Sequence, residues 1–442
     1  MRTGDVLERQ PLPTELWPAT AAAAVRVRYR GIGYDGAGRT VSGSVFLPAT
    51  AAPAPGWPVV SYAHGTTGLA DHCAPSRVGL TRLEREHVER WLAAGYVVAA
   101  TDYEGLATPG PHPYFNGEAV ADDVIDIVRA ARWLDERVGR RWLVTGFSQG
   151  GHAALFTGLL ASGYAPELDF LGTIALAPPV HLPQLIRVLT ADGRQPVSLL
   201  LPFLLAGLRT SHPHLDARVY LTAEGRRLVD TAGGATLGQM FRAITGITND
   251  DAGLTDVHLR LDQVLDACRV PVTRMDRPVF VTAGTADDIV PVQVVDRFVD
   301  DLRRAGATVR YDRHEGATHV DMLRTGHDDV LAWAGAAPGF DGLDADRDGR
   351  LTRDDFEVLA LRLAQSHGAA PGALATQAVR SEYRALWEDF LHRADTDADG
   401  AVSRAEFVRW LDAGGDLGPL ADAVRRLTGD DVDPEDWLLA QL

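Results

Sequence analysis

A short glycine-rich segment contains the residue best suited to nucleophilic chemistry. Residues 144–151 read VTGFSQGG; they follow an apolar run that predicts a strand and precede a run that predicts a helix. A serine at such a junction adopts strained backbone angles, and Gly146 and Gly150 allow the strand and the helix to pack closely around it. We therefore predict that Ser148 is a nucleophile for acyl transfer; a simple glycine-rich turn is the alternative.

The acid and the base that activate such a serine should follow it in the chain, the acid first. Asp287 and Asp288 come after the apolar run PVFVTA; we favour Asp287, which stands shortly after Gly284, and expect Asp288 to be solvated. Two histidines follow the next predicted strand. His319 is the preferred base because small residues place it at a loop tip, whereas His314 lies closer to the strand and is expected at the surface.

Acyl transfer also requires hydrogen-bond donors for the charge that develops on the carbonyl oxygen. The backbone N–H of Gln149, the residue after the serine, is one predicted donor. The second is predicted in the segment SYAHGTTG, residues 61–68, where Gly65 and Thr66 are candidates and Thr66 is preferred. His64 precedes the serine in the chain, so we expect it to support this loop rather than to act as the base.

The elements that must position these residues alternate between β-rich apolar runs and amphipathic helical stretches. The predicted strands comprise residues 26–29, 41–47, 59–63, 97–101, 142–147, 171–177, 279–282 and 308–311, and the predicted helices include residues 82–94, 120–138 and 152–160. This alternation predicts an α/β fold, with a mostly parallel sheet, helices on both faces, and ligands at the carboxyl ends of the strands.

The alternation stops between residues 179 and 270, which are rich in leucine and show little strand pattern. An insertion this long between two strands usually has a structure of its own, often as an active-site lid. We predict an inserted lid; a surface decoration without a functional role is the alternative. The longest apolar run, LLLPFLLAGL at residues 199–208, has about half of the roughly 20 residues that a membrane-spanning helix needs, so no transmembrane segment is predicted.

The composition limits the number of domains and the class of partner. The chain has 442 residues, 46% of them apolar, and a formal net charge of −17. Two or three globular units are expected at this length. Nucleic acid is not an expected partner for so acidic a chain. The absence of lysine from the sequence excludes Schiff-base chemistry through a catalytic lysine.

The acidic residues crowd after residue 340, where a DxDxDG pattern occurs twice, in DADRDGRLTRDD at residues 344–355 and in DTDADGAVSRAE at residues 395–406. Both segments fit the EF-hand loop, in which positions 1, 3, 5 and 12 give side-chain oxygens, position 6 is glycine, position 7 gives a carbonyl oxygen and position 9 acts through water. The predicted ligands are Asp344, Asp346, Asp348, the Arg350 carbonyl, Thr352 and Asp355 in the first loop, and Asp395, Asp397, Asp399, the Ala401 carbonyl, Ser403 and Glu406 in the second. We predict two Ca²⁺ sites rather than two acidic turns.

The two loops differ at position 12. Glu406 is long enough to bind Ca²⁺ with both oxygens, whereas Asp355 is one methylene shorter, so the first site is expected to bind Ca²⁺ more weakly and to tolerate Mg²⁺ better. Position 8 is apolar in both loops, at Leu351 and Val402, which suits a short strand joining paired loops. The helix that enters the first loop is expected to be short because Pro338 and several glycines interrupt it.

Three motifs, in order along the chain, resemble the secretory lipase family, which includes the fungal lipase A type enzymes. They are HGTTGLADHCAPS at residues 64–76, TDYEGLATPGPHPY at residues 101–114 and GFSQGG at residues 146–151, and the resemblance covers roughly residues 4–335. It implies an α/β-hydrolase with a helical lid, Ser148, Asp287 and His319 as a triad, and a small-molecule ester or lipid substrate. Cys73 matches a cysteine that some members tie to the lid, which leaves open a bridge to Cys268 or two packed free thiols.

The expected organisation is an α/β-hydrolase domain at residues 1–335, with the lid at 179–270, and a paired EF-hand domain at residues 336–442. The second domain resembles calerythrin-like proteins, and its calcium is expected to act as a structural clip or tethered buffer, with regulation of activity by calcium as the alternative. The N-terminal residues lack the apolar core of a signal peptide, so a cytoplasmic location is expected, with secretion as the alternative. Water is the expected acyl acceptor; an acyltransferase, and a calcium-binding protein with an inactive hydrolase domain, are the alternatives.

Overall fold

The computed structural model describes residues 2–53, 56–214, 217–255, 257–345, 350–366 and 374–403, together with residues 406, 407, 409, 410, 413, 415 and 419. The chain divides into two compact units. The first comprises Met1–Ala52 and Gly56–His327, and the second begins at Asp328.

One sheet organises the first unit. Its strands within the described residues are β1 (Val6–Pro11), β2 (Ala21–Ile32), β3 (Gly38–Pro48), β4 (Trp57–Ala63), β5 (Val97–Thr101), β6 (Val138–Phe147), β7 (Asp169–Leu176), β8 (Val279–Gly284) and β9 (Val309–His314). Their order in the sheet is β1-β2-β3-β5-β4-β6-β7-β8-β9. The pairs from β1 to β5 are antiparallel, and the pairs from β5 through β4 to β9 are parallel. The prediction of a mostly parallel sheet is confirmed.

The central strands show why the sheet forms. Strands β4 and β5 read WPVVSYA and VVAAT and are buried along almost their whole length. Strands that are covered on both faces need near-continuous apolar sequences, which these two have. Because β4, β6, β7 and β8 run parallel, their carboxyl ends meet at one edge of the sheet. The loops that follow these strands therefore come together there.

The helices of the first unit fall before, within and after the long insertion. They are α1 (Pro75–Val78), α2 (Arg82–Ala93), α3 (Gly117–Leu134), α4 (Gln149–Tyr164), α5 (Leu182–Leu189), α6 (Leu200–Ser211), α7 (Ala223–Ala232), α8 (Leu237–Ile244), α9 (Asn249–Ala252), α10 (Val257–Ala267) and α11 (Val292–Arg304). Short 3₁₀ turns lie at Thr14–Leu16, Asp71–Cys73, Ala217–Tyr220 and Val320–Leu323. Among the described residues, no helix combines the length and the apolar character that a membrane crossing requires.

Two local expectations are corrected. The helix predicted to extend to Val138 ends at Leu134, because Asp135 adopts extended angles and Val138 already belongs to β6. The N–H of Trp57 donates to the Arg137 carbonyl at 2.9 Å, so pairing with β4 has begun before Val138. Strand β1 was not predicted, because its sequence VLERQP is mostly exposed and lacks an apolar run.

The insertion is helical and shares its core with the sheet. Helices α5 to α10 account for most of it, and Leu185, Phe203 and Leu228 from these helices lie in the same buried cluster as Val281 of β8 and Phe298 of α11. A decoration of the surface would have left the sheet's own core complete without these side chains. The insertion is therefore packed as part of the first unit.

The second unit is helical with one small sheet. Its described elements are α12 (His327–Leu343), β10 (Arg350–Leu351), α13 (Arg353–Ser366), α14 (Leu374–Ala394) and β11 (Val402–Ser403). The buried side chains include Leu351, Phe356, Tyr383 and Phe407. The expectation of a short first helix is wrong, since α12 continues through Pro338. The proline therefore removes one intrahelical hydrogen bond without ending the helix.

Candidate active site

Ser148 lies at the sharp junction between β6 and α4. Its backbone angles are φ 55° and ψ −116°, a region that non-glycine residues rarely occupy. A Cβ atom on Gly146 would lie 2.0 Å from the Gly150 carbonyl oxygen, and one on Gly150 would lie 1.8 Å from the Ala63 carbonyl oxygen. Side chains at either position would prevent the close approach of strand and helix, so the tight turn that exposes Ser148 requires both glycines.

Ser148, His319 and Asp287 form one chain of hydrogen bonds. The Ser148 hydroxyl is 2.9 Å from His319 Nε2, and His319 Nδ1 is 2.7 Å from Asp287 Oδ2. The Asp287 and His319 side chains are buried, whereas Asp288 is exposed and His314 ends strand β9. The structure thus brings together the three residues preferred from the sequence, and the two alternatives, Asp288 and His314, take no part in this series of hydrogen bonds.

The hydrogen bonds determine which ring nitrogen of His319 carries the proton. The Asp287 carboxylate only accepts, so His319 Nδ1 donates to it and Nε2 is left as the acceptor for the Ser148 hydroxyl. Asp287 Oδ1 is held separately, because it accepts the N–H groups of Ile289 at 2.9 Å and Val290 at 2.8 Å. This is the orientation that a general base acting on the serine would need.

Gln149 begins helix α4 and offers its N–H at the helix N-terminus. The first N–H groups of a helix have no intrahelical acceptor, and the first bond of this helix runs from the His152 N–H to the Ser148 carbonyl at 3.1 Å. The side chain of Gln149 is anchored as well, since its Nε2 lies 2.8 Å from His112 Nε2. His112 Nδ1 in turn lies 2.9 Å from the Glu104 carbonyl, so it donates there and Nε2 accepts from Gln149. Burial lowers the pKa of His112 to about 4, which keeps the ring neutral and able to accept.

The loop after β4 contains the second backbone N–H donor predicted for the carbonyl oxygen of a substrate. The Gly65 N–H donates to Glu84 Oε1 at 2.9 Å, which removes it as a candidate and leaves the N–H of Thr66. The Thr66 hydroxyl is 2.6 Å from the Tyr114 hydroxyl. The His64 ring contacts the Gly65 carbonyl at 2.6 Å and the Asp102 carbonyl at 3.3 Å, which is the supporting position expected for it.

A cavity of about 250 Å³ opens beside Ser148 and His319. The insertion contributes an apolar wall to it, formed by Leu199, Leu200, Phe203, Leu237 and Phe241. Apolar walls favour an apolar group of a ligand, while the polar groups of the site converge at the serine. The insertion therefore lines the space beside Ser148, as a lid would.

The two cysteines are free, so the bridge that the resemblance left open is absent from this structure. Both are buried, and burial raises the pKa of each thiol, that of Cys268 to about 12. Cys73 Sγ lies 3.8 Å from the Ala235 carbonyl, while Cys268 follows α10 and its carbonyl accepts from His152 Nε2 at 2.8 Å. Each thiol packs in its own surroundings, in accordance with the alternative of two free thiols.

Glu84 and Tyr114, like His112, are residues of the site that were not singled out from the sequence. Glu84 was visible only as the last residue of a capping box, Thr81-Arg82-Leu83-Glu84, which predicts a helix start and not a contact with another loop. Tyr114 ends a motif that carried the resemblance, yet nothing in its local sequence indicates a bond to Thr66. Both contacts depend on how distant segments pack.

The second unit brings acidic side chains of the second EF-hand loop together. Oxygen atoms of Asp395, Asp397 and Asp399 lie within 4.8 Å of one another. Gly400, at loop position 6, has φ 83°, the left-handed angle that the sharp turn requires. Hard oxygen ligands clustered in this way suit Ca²⁺, so these residues fit the ion. Asp346 and Asp348 of the first loop lie outside the described residues.

The residues at position 12 occupy equivalent places in the two loops. Asp355 accepts the N–H of Thr352 at 2.8 Å and that of Ala345 at 2.8 Å. Glu406 accepts the N–H of Ser403 at 2.9 Å and that of Thr396 at 2.8 Å. Strands β10 and β11 pair Leu351 with Val402 and Arg350 with Ser403. The loops are thus joined by the short sheet that their apolar position 8 suggested.

Comparison with known proteins identifies relatives for both units. The family model described as secretory lipase matches residues 72–339, and the model described as EF hand matches residues 388–411. Lipase A of Moesziomyces aphidis is 24% identical over 343 residues, which are 72% of this chain and 72% of that protein. A probable inactive lipase of Mycobacterium tuberculosis is 27% identical over 339 residues, 70% of this chain and 72% of the relative. Calerythrin of Saccharopolyspora erythraea is 31% identical over 70 residues, 16% of this chain and 40% of calerythrin.

Among solved structures, the closed state of Candida antarctica lipase A is similar to this chain with a TM-score of 0.63. The sequences are 22% identical, and the match covers 76% of this chain and 82% of the lipase. Likeness at this level of identity concerns the fold. It agrees with the α/β-hydrolase architecture predicted from the alternating strands and helices.

Proposed function

Because the chain belongs to the secretory lipase family, we propose that its first unit hydrolyses carboxylic esters through an acyl-enzyme formed on Ser148. The observation that carries this proposal is the continuous hydrogen-bonded chain from Ser148 through His319 to Asp287, beside an apolar cavity. A serine hydroxyl reacts at neutral pH when an oriented base accepts its proton. The tautomer of His319 that these hydrogen bonds favour, with the proton on Nδ1, is the one that this role requires.

In the first step, Ser148 Oγ attacks the ester carbonyl while its proton passes to His319 Nε2. Asp287 keeps the other ring proton on Nδ1 and stabilises the imidazolium that results. The oxygen of the tetrahedral intermediate accepts hydrogen bonds from the N–H groups of Gln149 and Thr66. Its collapse releases the alcohol, which takes the proton from His319, and leaves the acyl group on the serine.

In the second step, water attacks the acyl-enzyme and gives its proton to the same ring nitrogen of His319. The carboxylic acid leaves, and Ser148 regains its hydrogen. The apolar wall from the insertion suits an acyl group or an apolar alcohol group of the ester. Esters with an apolar acyl or alcohol group, including lipids, are therefore favoured over esters with polar groups.

A fluorophosphonate probe tests the proposal directly. An active serine hydrolase is labelled irreversibly at its nucleophile, so the wild type should be labelled and Ser148→Ala should not. The second candidate, a calcium-binding protein with an inactive hydrolase domain, is raised by the relative described as a probable inactive lipase. An unlabelled wild type with no turnover of p-nitrophenyl esters would favour that candidate and reject the ester hydrolase.

For the second unit, we propose Ca²⁺ binding in the two EF-hand loops. Asp395, Asp397 and Asp399 would hold the ion in the second loop together with the Ala401 carbonyl and Glu406, and the charge of a divalent ion would offset the repulsion among the carboxylates. In the first loop, Asp344 and Asp355 are buried near the loop ends, as ligands at positions 1 and 12 would be. Calorimetric titration of the full chain with Ca²⁺, and with Mg²⁺ in parallel, would test both the stoichiometry and the ion.

A further inference from the structure

The loop that carries Thr66 is attached to a buried carboxylate to which the mechanism above gives no role. We call residues 64–67 the oxyanion loop. Glu84, in the first turn of α2, is 2% exposed, and its Oε1 accepts the Gly65 N–H at 2.9 Å and the Tyr62 hydroxyl at 3.1 Å. Helix α2 is therefore bonded directly to the residue that precedes Thr66.

The other oxygen of Glu84 is held by its own helix. Oε2 accepts the N–H of Thr81 at 3.2 Å and the Thr81 hydroxyl at 2.7 Å, and Thr81 Oγ1 accepts the Glu84 N–H at 3.4 Å. Four donors thus occupy the acceptor positions of one carboxylate. The side chain cannot turn away from the oxyanion loop without also breaking the cap of α2.

The loop is confined from its other side by the residue before the nucleophile. A Cβ atom on Gly65 would lie 2.9 Å from Phe147 Cδ1, so Gly65 already packs closely against Phe147. Between that contact and its bond to Glu84, the Gly65 peptide has little freedom to rotate. The next peptide, whose N–H belongs to Thr66, is joined to this one through the φ and ψ angles of Gly65, and its carbonyl is held on its own side by His64 Nδ1 at 2.6 Å.

We propose that Glu84 is a positioning residue of the oxyanion hole, whose hydrogen bond to Gly65 aims the Thr66 N–H at the carbonyl oxygen of the substrate. This inference rests on the proposed ester hydrolysis. The negative charge of Glu84 opposes the oxyanion rather than stabilising it, so its useful property is an acceptor atom at the right distance. A neutral acceptor of equal length should replace it, and a shorter carboxylate should not.

Two substitutions at position 84 distinguish the effect of side-chain length from the effect of its negative charge. Glu84→Gln keeps an oxygen for Gly65 and Tyr62 when its NH₂ group faces the part-buried N–H of Thr81, and this orientation is favoured because the reversed amide would set the NH₂ group against the buried N–H of Gly65. Glu84→Asp keeps the charge but withdraws the carboxylate by one methylene, about 1.5 Å, beyond hydrogen-bond distance from Gly65. Thr81→Val is the matched control, because it removes the side-chain cap of α2 and leaves the Gly65 bond in place.

The full chain is assayed for kcat and KM with p-nitrophenyl butyrate, and for inhibition by a trifluoromethyl ketone, whose adduct with a catalytic serine presents an oxyanion. Glu84→Asp should lower kcat about 10- to 100-fold with KM changed less than about threefold, and should weaken the ketone by a similar factor. Glu84→Gln and Thr81→Val should retain kcat within about threefold, even though losing cap contacts lowers their melting temperatures by about 2–4 °C.

The opposite order, with Glu84→Gln impaired and Glu84→Asp active, would overturn the inference and assign the effect to charge. Equal losses of kcat in Thr81→Val and Glu84→Asp would also overturn it, since the effect would then follow the stability of α2. Fluorophosphonate labelling of the wild type separates the two hypotheses. An unlabelled wild type refutes the ester hydrolase and this inference together, whereas a labelled wild type with an unimpaired Glu84→Asp refutes this inference alone.

Discussion

Replacing Asp287 by asparagine changes one atom of the hydrogen-bonded chain and should disable the base. Asp287 Oδ1 accepts two backbone N–H groups, those of Ile289 and Val290, and Oδ2 accepts His319 Nδ1–H at 2.7 Å. In Asp287→Asn, the amide oxygen keeps the two backbone donors, and the NH₂ group faces His319. His319 Nδ1 must then accept, so its proton moves to Nε2 and points at Ser148.

The surroundings of residue 287 also disfavour the rotation of the asparagine amide that would restore the wild-type tautomer of His319. Turning the asparagine amide over would restore an acceptor for His319, but it would set the NH₂ group against two backbone N–H donors. The Val290 N–H is buried and the Ile289 N–H is part-buried; a buried donor left without an acceptor costs about 1–3 kcal/mol, so the reversed amide is disfavoured by at least this amount. The wrong tautomer should therefore dominate. By analogy with the serine protease triad, kcat should fall about 10⁴-fold, equivalent to about 5.5 kcal/mol of activation free energy.

The assay is kcat and KM for a p-nitrophenyl ester at pH 8, with urea unfolding to confirm that the variant is folded. Asp288→Asn is the control, because it makes the same chemical change at the next, exposed residue and should leave kcat within about twofold. Retention of more than about a tenth of the wild-type kcat by a folded Asp287→Asn would refute the tautomer argument. A larger loss in Asp288→Asn than in Asp287→Asn would exchange their roles.

Three further outcomes are expected. Added Ca²⁺ should raise the melting temperature of the second unit, because the ion binds the folded state. In calorimetric titrations, the tighter of the two Ca²⁺ sites should be lost in Asp395→Ala and retained in Asp344→Ala; tighter binding in the first loop would contradict the argument from position 12. Folded His112 stays neutral down to about pH 4, whereas in the unfolded state it takes up a proton near pH 6.5, so the free energy of unfolding should decrease by about 3 kcal/mol, relative to His112→Gln, as the pH is lowered through this window. Urea unfolding of both proteins at pH 7 and pH 4.5 would show this, and a difference in unfolding free energy between them that did not change with pH would argue against a depressed pKa. Gly150→Ala should abolish both labelling of Ser148 and the native melting transition, because its Cβ would overlap the Ala63 carbonyl oxygen at 1.8 Å; a folded, active variant would show that the elbow can widen.

The chemistry of the site could be predicted from local patterns. The segment around Ser148 specifies a strand, a sharp turn and a helix within a few residues, because the two glycines are needed for the turn itself. The EF-hand loops are similarly local, since consecutive residues supply the oxygens in a fixed order. The preference for Asp287 and His319 combined local context with the chain order of a known fold, and the structure brings both to Ser148.

The remaining features depend on segments that are distant in the sequence, whose packing no local pattern specifies. The polar strand β1 exists because β2 offers it an edge, and the end of α3 is set by the pairing of β6 with β4. The bond from Glu84 to Gly65 joins a helix cap to a loop, so its sequence signal indicated only the cap. The local sequence determined which residues could react, whereas the burial and hydrogen bonding that orient them arose only when the sheet brought the ends of its parallel strands together.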